Sequence, residues 1–313
     1  MNQLYRALHM PPQRLLKKLT GHKEIYTIAV RPAPVAEGCD LLPALGAGAF
    51  VPLPETPGVW YADPLLFHHA SGRWLFCEAF DLAAGRGSIA ATSMDDNGAV
   101  TGMQVVLQED FHLSFPTVFD WNGEIWMIPE ASETNALILY RCVEFPGKWE
   151  QAARFPVGRP LCDAIVMERT GTALTLLCSE IKPENGLYTR YRRYFLGKNG
   201  GAEGETAGGF TLTEDEPFNL QHREYGLGNR NAGPLFRRNG QTVRPAQVST
   251  RVDYGVYLQF WARRGASEVP LCAAMPQNLT ITGLDPQDLI GIHTYCRDDK
   301  VEVIDARYLR KVR

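Results

Sequence analysis

The stretch Trp60-Tyr61-Ala62-Asp63-Pro64-Leu65-Leu66-Phe67, continued to Glu78, places a polar residue at the head of an apolar strand. Ser71-Gly72-Arg73 then supplies a turn, and Trp74-Leu75-Phe76-Cys77 returns to a carboxylate. The phrase recurs from Ser114-Phe115-Pro116 through a turn at Asn122-Gly123 to Glu130, and from Asp163 through Thr170-Gly171 to Glu180. It recurs again from Asn231-Ala232-Gly233-Pro234 through Asn239-Gly240 to Gln247, and in a weaker copy from Gly291-Ile292-His293 through Asp298-Asp299 to Asp305. Strand–turn–strand repeats at a spacing of roughly 50–70 residues are the mark of radial or stacked β architectures. The expected fold is all-β, a five-bladed β-propeller over residues 24–313, preceded by a short helical segment. In such a propeller the first strand of every blade lines a central channel, so the residues that open each phrase converge.

Hydrophobic residues make up 45% of the 313-residue chain and charged residues 21%, the balance of a globular domain that buries a core. A net charge of -3 supplies no basic field, which argues against a nucleic-acid partner. The seven cysteines are odd in number and form no C-x-x-C pair, a pattern that suits a reducing, cytoplasmic setting better than a disulfide scaffold.

Residues 1–23 carry Arg6, Arg14, Lys17, Lys18 and Lys23 and no acid, interleaved with leucines. Two readings stand: a basic amphipathic segment touching an anionic membrane surface from the cytoplasmic side, or a short helix broken at Pro11-Pro12 and packed on the propeller rim. Glu24–Val30 reads as a strand placed to close the last blade. Residues 31–58 are rich in Pro, Ala and Gly and are expected to wrap the surface. Residues 197–210 are glycine-rich without apolar periodicity and read as a loop. They do not lead from a strand into a helix, so they make no phosphate-binding fingerprint.

Asp63, Glu78, Glu130, Asp163 and Glu180 are the acids of the repeat frame, with Arg230, Arg244, Gln247, His112 and His293 as polar neighbours. Carboxylates crowded in a channel push their pKa values apart, which suits acid/base chemistry at a glycosidic carbon. Strand-end acids also satisfy turn N–H groups or pair with arginine, so part of the set is expected to be structural. No G-x-S-x-G elbow and no tight metal-ligand spacing occur, and neither a cofactor nor a metal is expected.

Taken together, Trp60-Tyr61-Ala62-Asp63-Pro64, His112-Leu113-Ser114-Phe115-Pro116, Met127-Ile128-Pro129-Glu130, Arg230-Asn231-Ala232-Gly233 and Arg244-Pro245-Ala246-Gln247 carry a resemblance. From about residue 24 onward the chain resembles the propeller domain of plant glucosamine inositolphosphorylceramide transferases and of bacterial proteins, some fused to formyltransferase-like modules. More distantly it is similar to the five-bladed glycoside hydrolases of families 43 and 32 and to related mannoside phosphorylases. The hydrolase resemblance implies that Asp63 is a general base and Asp163 a carboxylate that orients substrate. Those hydrolases carry their general acid in an E-G-P phrase, and here Ala232 stands in its place in Ala232-Gly233-Pro234.

Without that acid, displacement of a basic alkoxide is slowed, whereas a phosphate or nucleotide leaving group needs cations more than a proton. The expectation is therefore an inverting sugar transferase acting on a sugar nucleotide or sugar phosphate. Asp63 would be the base, Asp163 and Glu130 would act beside it, and Arg230, Arg244 and His293 would hold the anionic part of the donor. Tyr61, Glu78, His112, Glu180, Asn231 and Gln247 are the remaining substrate-binding candidates, with Trp60 and Trp126 as further rings for stacking on a sugar. A hydrolase using Glu130 or Glu180 as acid, a glycan-binding module and a protein-binding scaffold are the alternatives.

Overall fold

The structure is a computed structural model, and it describes residues 10–33, 48–198, 205–265 and 267–311. Five antiparallel sheets follow one another along the chain as the blades of a five-bladed propeller. Blade one comprises Val59–His69, Gly72–Asp81, Arg86–Met94 and Gln104–Leu107. Blade two comprises Ser114–Trp121, Glu124–Glu130, Leu137–Glu144 and Lys148–Phe155. Blade three runs through Leu161–Arg169, Ala173–Ile181 and Thr189–Lys198 to Phe210–Glu214, with Glu205–Ala207 on its edge. In blade four, Arg230–Asn231 and Phe236–Arg238 share the inner position beside Gln241–Val248, followed by Tyr257–Arg264 and Ser267–Ala274.

Blade five closes the ring. Leu289–Gly291 and Tyr295–Arg297 pair with Val301–Lys311, which is completed by the N-terminal strand His22–Pro32 and then Val51–Pro52. The N-terminal strand pairs from His22↔Lys311 to Pro32↔Val301, so the expected closure by the Glu24–Val30 strand is found. It joins the two ends of the fold and covers an edge that would otherwise be open.

The expected hairpin turns are present because their residues tolerate left-handed backbone: Gly72, Asn122-Gly123 and Asn239-Gly240 all have positive φ. Alternation along each strand sends apolar side chains to the two faces of a sheet, and these fill the gaps between neighbouring blades. Leu65, Phe76 and Ile89 of blade one meet Val118, Met127 and Ile138 of blade two, for example. On the side of blade three that faces blade four the buried apolar cluster is small, Ile165, Leu177 and Tyr191 with Phe115 of blade two, and a polar network takes over.

The expected loop over 197–210 is shorter than the composition suggested. Residues 199–204 lie outside the described residues, but Glu205–Ala207 and Phe210–Glu214 pair as strands. Of the stretch 31–58, residues 34–47 likewise lie outside them, as do residues 1–9 of the basic segment. The helix Pro12–Leu19 packs by polar contacts: Arg14 and Lys18 pair with Glu24, Arg14 also with Asp253, and Lys17 with Asp288. Among the described residues, no helix is long and apolar enough to cross a membrane. Among the same residues, Cys77, Cys142, Cys162, Cys178 and Cys296 form no disulfide.

Candidate functional site

Three blades open with the same backbone irregularity. Asp63-Pro64 lies opposite Cys77 alone, Phe115-Pro116 opposite Pro129, and Asp163-Ala164 opposite Cys178. Two residues facing one is a β-bulge, which re-aims the side chain of the bulged residue. The first bulge residue is left-handed each time, with φ 51° at Asp63, 42° at Phe115 and 48° at Asp163; Gly233 stands at the corresponding place in blade four with φ 139°. A non-glycine residue in this region costs about 1–3 kcal/mol and persists where the surroundings over-determine it, commonly at functional sites. Aspartate tolerates it better than most.

Asp63 is 7% exposed. Its Oδ1 accepts from Thr294 Oγ1 at 2.7 Å and lies 3.8 Å from His293 Nε2, while its backbone N–H donates to Asp305 Oδ2 at 3.0 Å. Asp305, fully buried, also receives the backbone N–H groups of His293 and Thr294 and pairs with His293 Nδ1. Burial works against its charge, but His293 and those donors outweigh it and hold Asp305 below the usual carboxylate range. His293 is tuned oppositely: burial favours the neutral ring, and Asp305 and Asp63 together raise its pKa. Asp63 itself is raised by burial and by Asp305, against the pull of His293.

Asp163 is bound to Arg230 through two hydrogen bonds and receives Gln247 Nε2 at 3.2 Å. Burial nevertheless raises it to about 8, with Glu130 and Asp63 adding to the effect against Arg230. Glu130 accepts from Ser132 at 2.7 Å, and from Ser114 and Arg230 at 3.3 Å. Asn231 holds the backbone behind Asp163, donating to the carbonyls of Asp163 and Leu177 at 2.8 Å.

Glu78 differs from the other strand-end acids. Its Oε1 is buried without a hydrogen-bond partner and stands 3.5 Å from His112 Nε2. His112 Nδ1 accepts the Gly87 N–H at 3.0 Å, which leaves the ring's proton on Nε2, facing Glu78. Gly87 is required by space: a Cβ there would lie 2.6 Å from Glu78 Oε1 and 2.8 Å from the His112 ring. Burial and the neighbouring carboxylates of Asp63, Glu130, Asp305 and Asp163 push Glu78 well above its ordinary pKa.

Other expected residues sit in networks of their own. Glu180 is clamped by Arg190, Arg192 and Tyr225 at 2.6–3.0 Å; burial alone would raise its pKa, and these hydrogen bonds reverse that to about 2. Arg244, 2% exposed, makes a forked pair with Glu268 and donates to Tyr191 and Asn231 in the seam between blades three and four. Tyr61 donates to Thr56 and packs between blades five and one, and Trp126 lies in the core between blades two and three. Trp60 stacks on Phe80 at 4.5 Å and touches Tyr26 at 4.9 Å.

Asp305, Thr294, Tyr26 and Tyr254 were not among the expected site residues. Tyr254 covers the Arg230 guanidinium at 4.9 Å and meets the His293 ring edge-on at 5.3 Å; Tyr26 stacks on His293 at 4.9 Å. Asp305 ends the fifth phrase as Glu78 and Glu130 end theirs, so the repeat frame contained its signal.

Among the described residues, two groups of potential metal donors come within 4.8 Å, Asp63/His293/Asp305 and Glu130/Cys162/Asp163. Asp305 is spent on His293 and backbone donors, and Asp163 on Arg230. Both groups are therefore best described as hydrogen-bonded ion-pair networks.

The raised and lowered groups set a pH dependence. Asp163, with Asp63 and Glu78, holds protons in the folded state that the unfolded chain releases near pH 4. Stability therefore falls as pH rises from about 4 toward 8. Glu24 and Glu180, both lowered to about 2, contribute stability that is lost as pH falls below about 4.5. The thermal midpoint is expected to be highest near pH 5 and to decline toward pH 8, with a shallower decline in Asp163→Asn; melting curves across pH 3–9 check this.

The family model described as "Glucosamine inositolphosphorylceramide transferase 1, N-terminal" matches residues 47–263, more than two thirds of the chain, with Asp63, Glu78, Glu130, Asp163 and Arg230 inside the match and His293 and Asp305 beyond it. The chain belongs to this family. Within the glucosamine inositolphosphorylceramide transferase 1 N-terminal family, it is 37% identical over 116 residues to the transferase 1 of Arabidopsis thaliana, covering 37% of this chain and 15% of that protein. It is 29% identical over 196 residues to the transferase 1 of Oryza sativa subsp. indica, covering 61% and 24%. The match thus spans less than a quarter of these relatives' length. Among solved structures, the catalytic domain of Coprinopsis cinerea GH62 alpha-L-arabinofuranosidase covers 90% of this chain and 97% of its own, with a TM-score of 0.51 and 10% identity. That likeness speaks for the propeller fold alone.

Proposed function

We propose that the channel of this family member binds a sugar and transfers it with inversion, Asp63 acting as the base that activates the acceptor hydroxyl. The observation that carries this reading is the strained placement of Asp63, aimed by a bulge into the channel beside the protonatable His293. A base works best with a pKa near the ambient pH, and burial raises Asp63 in that direction. His293, oriented by Asp305, steadies the ionised form of Asp63 between turnovers. Asp163 and Glu130, bridged by Arg230, are the neighbouring acids.

Ala232, fully buried, occupies the place where the distant hydrolases carry an acid, which favours a leaving group that needs no proton. Arg230 is the channel cation placed to meet the anionic part of a sugar nucleotide or sugar phosphate. An amino sugar is the class to test first, since the relatives' names carry glucosamine. The acceptor belongs to glycan or glycolipid assembly in the cytoplasm, with residues 1–23 as a contact to the membrane surface.

A glycan-binding module is the second reading, favoured by the 76–85% of each relative's length that the match leaves uncovered. A thermal-shift panel of nucleotide sugars, sugar phosphates and neutral oligosaccharides on wild type and Asp63→Asn separates the two. Stabilisation by an activated sugar, followed by turnover in the wild type alone, supports transfer. Stabilisation by neutral glycans, equal in both proteins and without turnover, supports the binding module.

A further inference from the structure

Every acid of the channel is covered: Asp63, Glu78, Glu130, Asp163 and Asp305 are all 9% exposed or less, and His293 is 5% exposed. Part of the cover is the loop that joins Gln241–Val248 to Tyr257–Arg264 in blade four, whose Tyr254 lies over Arg230 and against His293. This loop is a compact body held by its own side chains. Val252 and Asp253 donate their N–H groups to Thr250 Oγ1, Tyr254 to Asp253 Oδ1, and Gly255 to Ser249 Oγ. Gly255 lets it lie flat on the site, since it has φ 52° and a Cβ there would come within 2.7 Å of His293 Cβ.

What ties the loop down comes largely from the N-terminus. Asp253 is gripped by Arg14 of the helix Pro12–Leu19 and by Arg307 Nη2 at 2.8 Å. Arg14 also holds Glu24 at 2.6 Å, Lys18 meets Glu24 at 2.5 Å and Lys17 meets Asp288 at 2.5 Å. The helix has no buried residue, and Leu16 and Leu19 face outward at 62% and 76% exposure. Its hold on the propeller is therefore ionic, not apolar. The lysine pairs are the more open and weaker ones, whereas the Arg14–Asp253 pair is largely shielded and less screened by salt; a hold made of a few ion pairs still comes apart more readily than a packed apolar helix. A cavity of about 120 Å³ lies under it, lined by Arg14, Glu24, Asp253, Tyr254 and Arg307 among others.

We propose that the helix Pro12–Leu19 is a latch that keeps the Tyr254 loop closed over the channel, and that release of the Arg14–Asp253 contact opens the channel to its ligand. The proposal rests on the sugar-site reading only for the identity of what enters. When Arg14 lets go, Asp253 keeps Arg307, so the loop is loosened without losing its fold. Tyr254 can then swing from Arg230 and uncover the cation that faces an anionic donor.

Hydrogen–deuterium exchange over residues 249–256 in the full chain, with wild type, Arg14→Ala and Arg14→Lys, tests this without any ligand. The expected result is exchange about tenfold faster in Arg14→Ala, a smaller shift in the same direction for wild type in high salt, and an intermediate rate in Arg14→Lys, which keeps the charge but cannot span Asp253 and Glu24 as the guanidinium does. Exchange in Ser114–Trp121 of blade two should stay unchanged, which excludes a general loss of fold. Unchanged exchange in 249–256 while the helix itself exchanges freely in Arg14→Ala would overturn the latch. For any activated sugar that binds, the association rate should rise in Arg14→Ala by a similar factor, and an unaltered rate would also count against it. If none binds either protein, the sugar-site reading fails, and the exchange result still decides the latch.

Discussion

Asp63→Asn is expected to lower turnover about 10²–10⁴-fold while leaving sugar affinity within a few-fold of wild type. Asparagine matches aspartate in size and also tolerates left-handed backbone, so the bulge that aims residue 63 survives the exchange. Its side-chain oxygen can still accept from Thr294, and its N–H still reaches Asp305. What disappears is the capacity to take a proton. His293 also loses part of the charge that raises its pKa, so the ring should titrate lower in the variant. Steady-state kinetics with the activated sugar from the thermal-shift panel check the first effect, and imidazole chemical shifts followed against pH check the second. A loss of affinity with turnover unchanged would mean that Asp63 binds substrate and does no chemistry.

Arg244→Ala is expected to destabilise the fold by about 3–5 kcal/mol, read as a fall in the midpoint of denaturant unfolding. The guanidinium is 2% exposed and spends its donors on Glu268, Tyr191 and Asn231. Removing it strands Glu268, half-opens the polar seam between blades three and four, and leaves Asn231 Oδ1 without its donor. Asn231 carries the backbone of Asp163 on its other end, so the damage reaches the channel through position and not through a lost ligand contact. If Arg244 instead held the anionic part of a donor, the variant would keep its stability and lose affinity. Comparing unfolding curves with ligand binding in the same variant separates the two.

The repeat frame made the blades, their turns and the closure by the N-terminal strand legible, because strand alternation and turn residues are local properties of the chain. It also located Asp63 and Asp163, since both head a first strand. Their left-handed backbone was not legible: neither Asp63-Pro64 nor Asp163-Ala164 contains the glycine that usually announces it, and the bulge shows only in the pairing with the second strand. The frame placed Glu180 beside Glu78 and Glu130 as an equal. It could not show that Arg190 and Arg192 arrive from the next strand and Tyr225 from a distant loop to spend Glu180 on structure. The partner of Arg244 lies 24 residues further on, in the last strand of its blade, beyond any local pattern. Tyr254 sits in a loop without periodicity, where composition gives no hint that a ring returns to the channel.

A crystal structure of the protein with the activated sugar that stabilises it most tests the central claim most directly. The expected map shows the sugar ring in the channel, with a hydroxyl or the acceptor oxygen within hydrogen-bond distance of Asp63, the anionic part near Arg230, and Tyr254 displaced. A sugar bound in the cleft between blades three and four, or in the one lined by Trp60 and Tyr308, with the channel still closed, would contradict it.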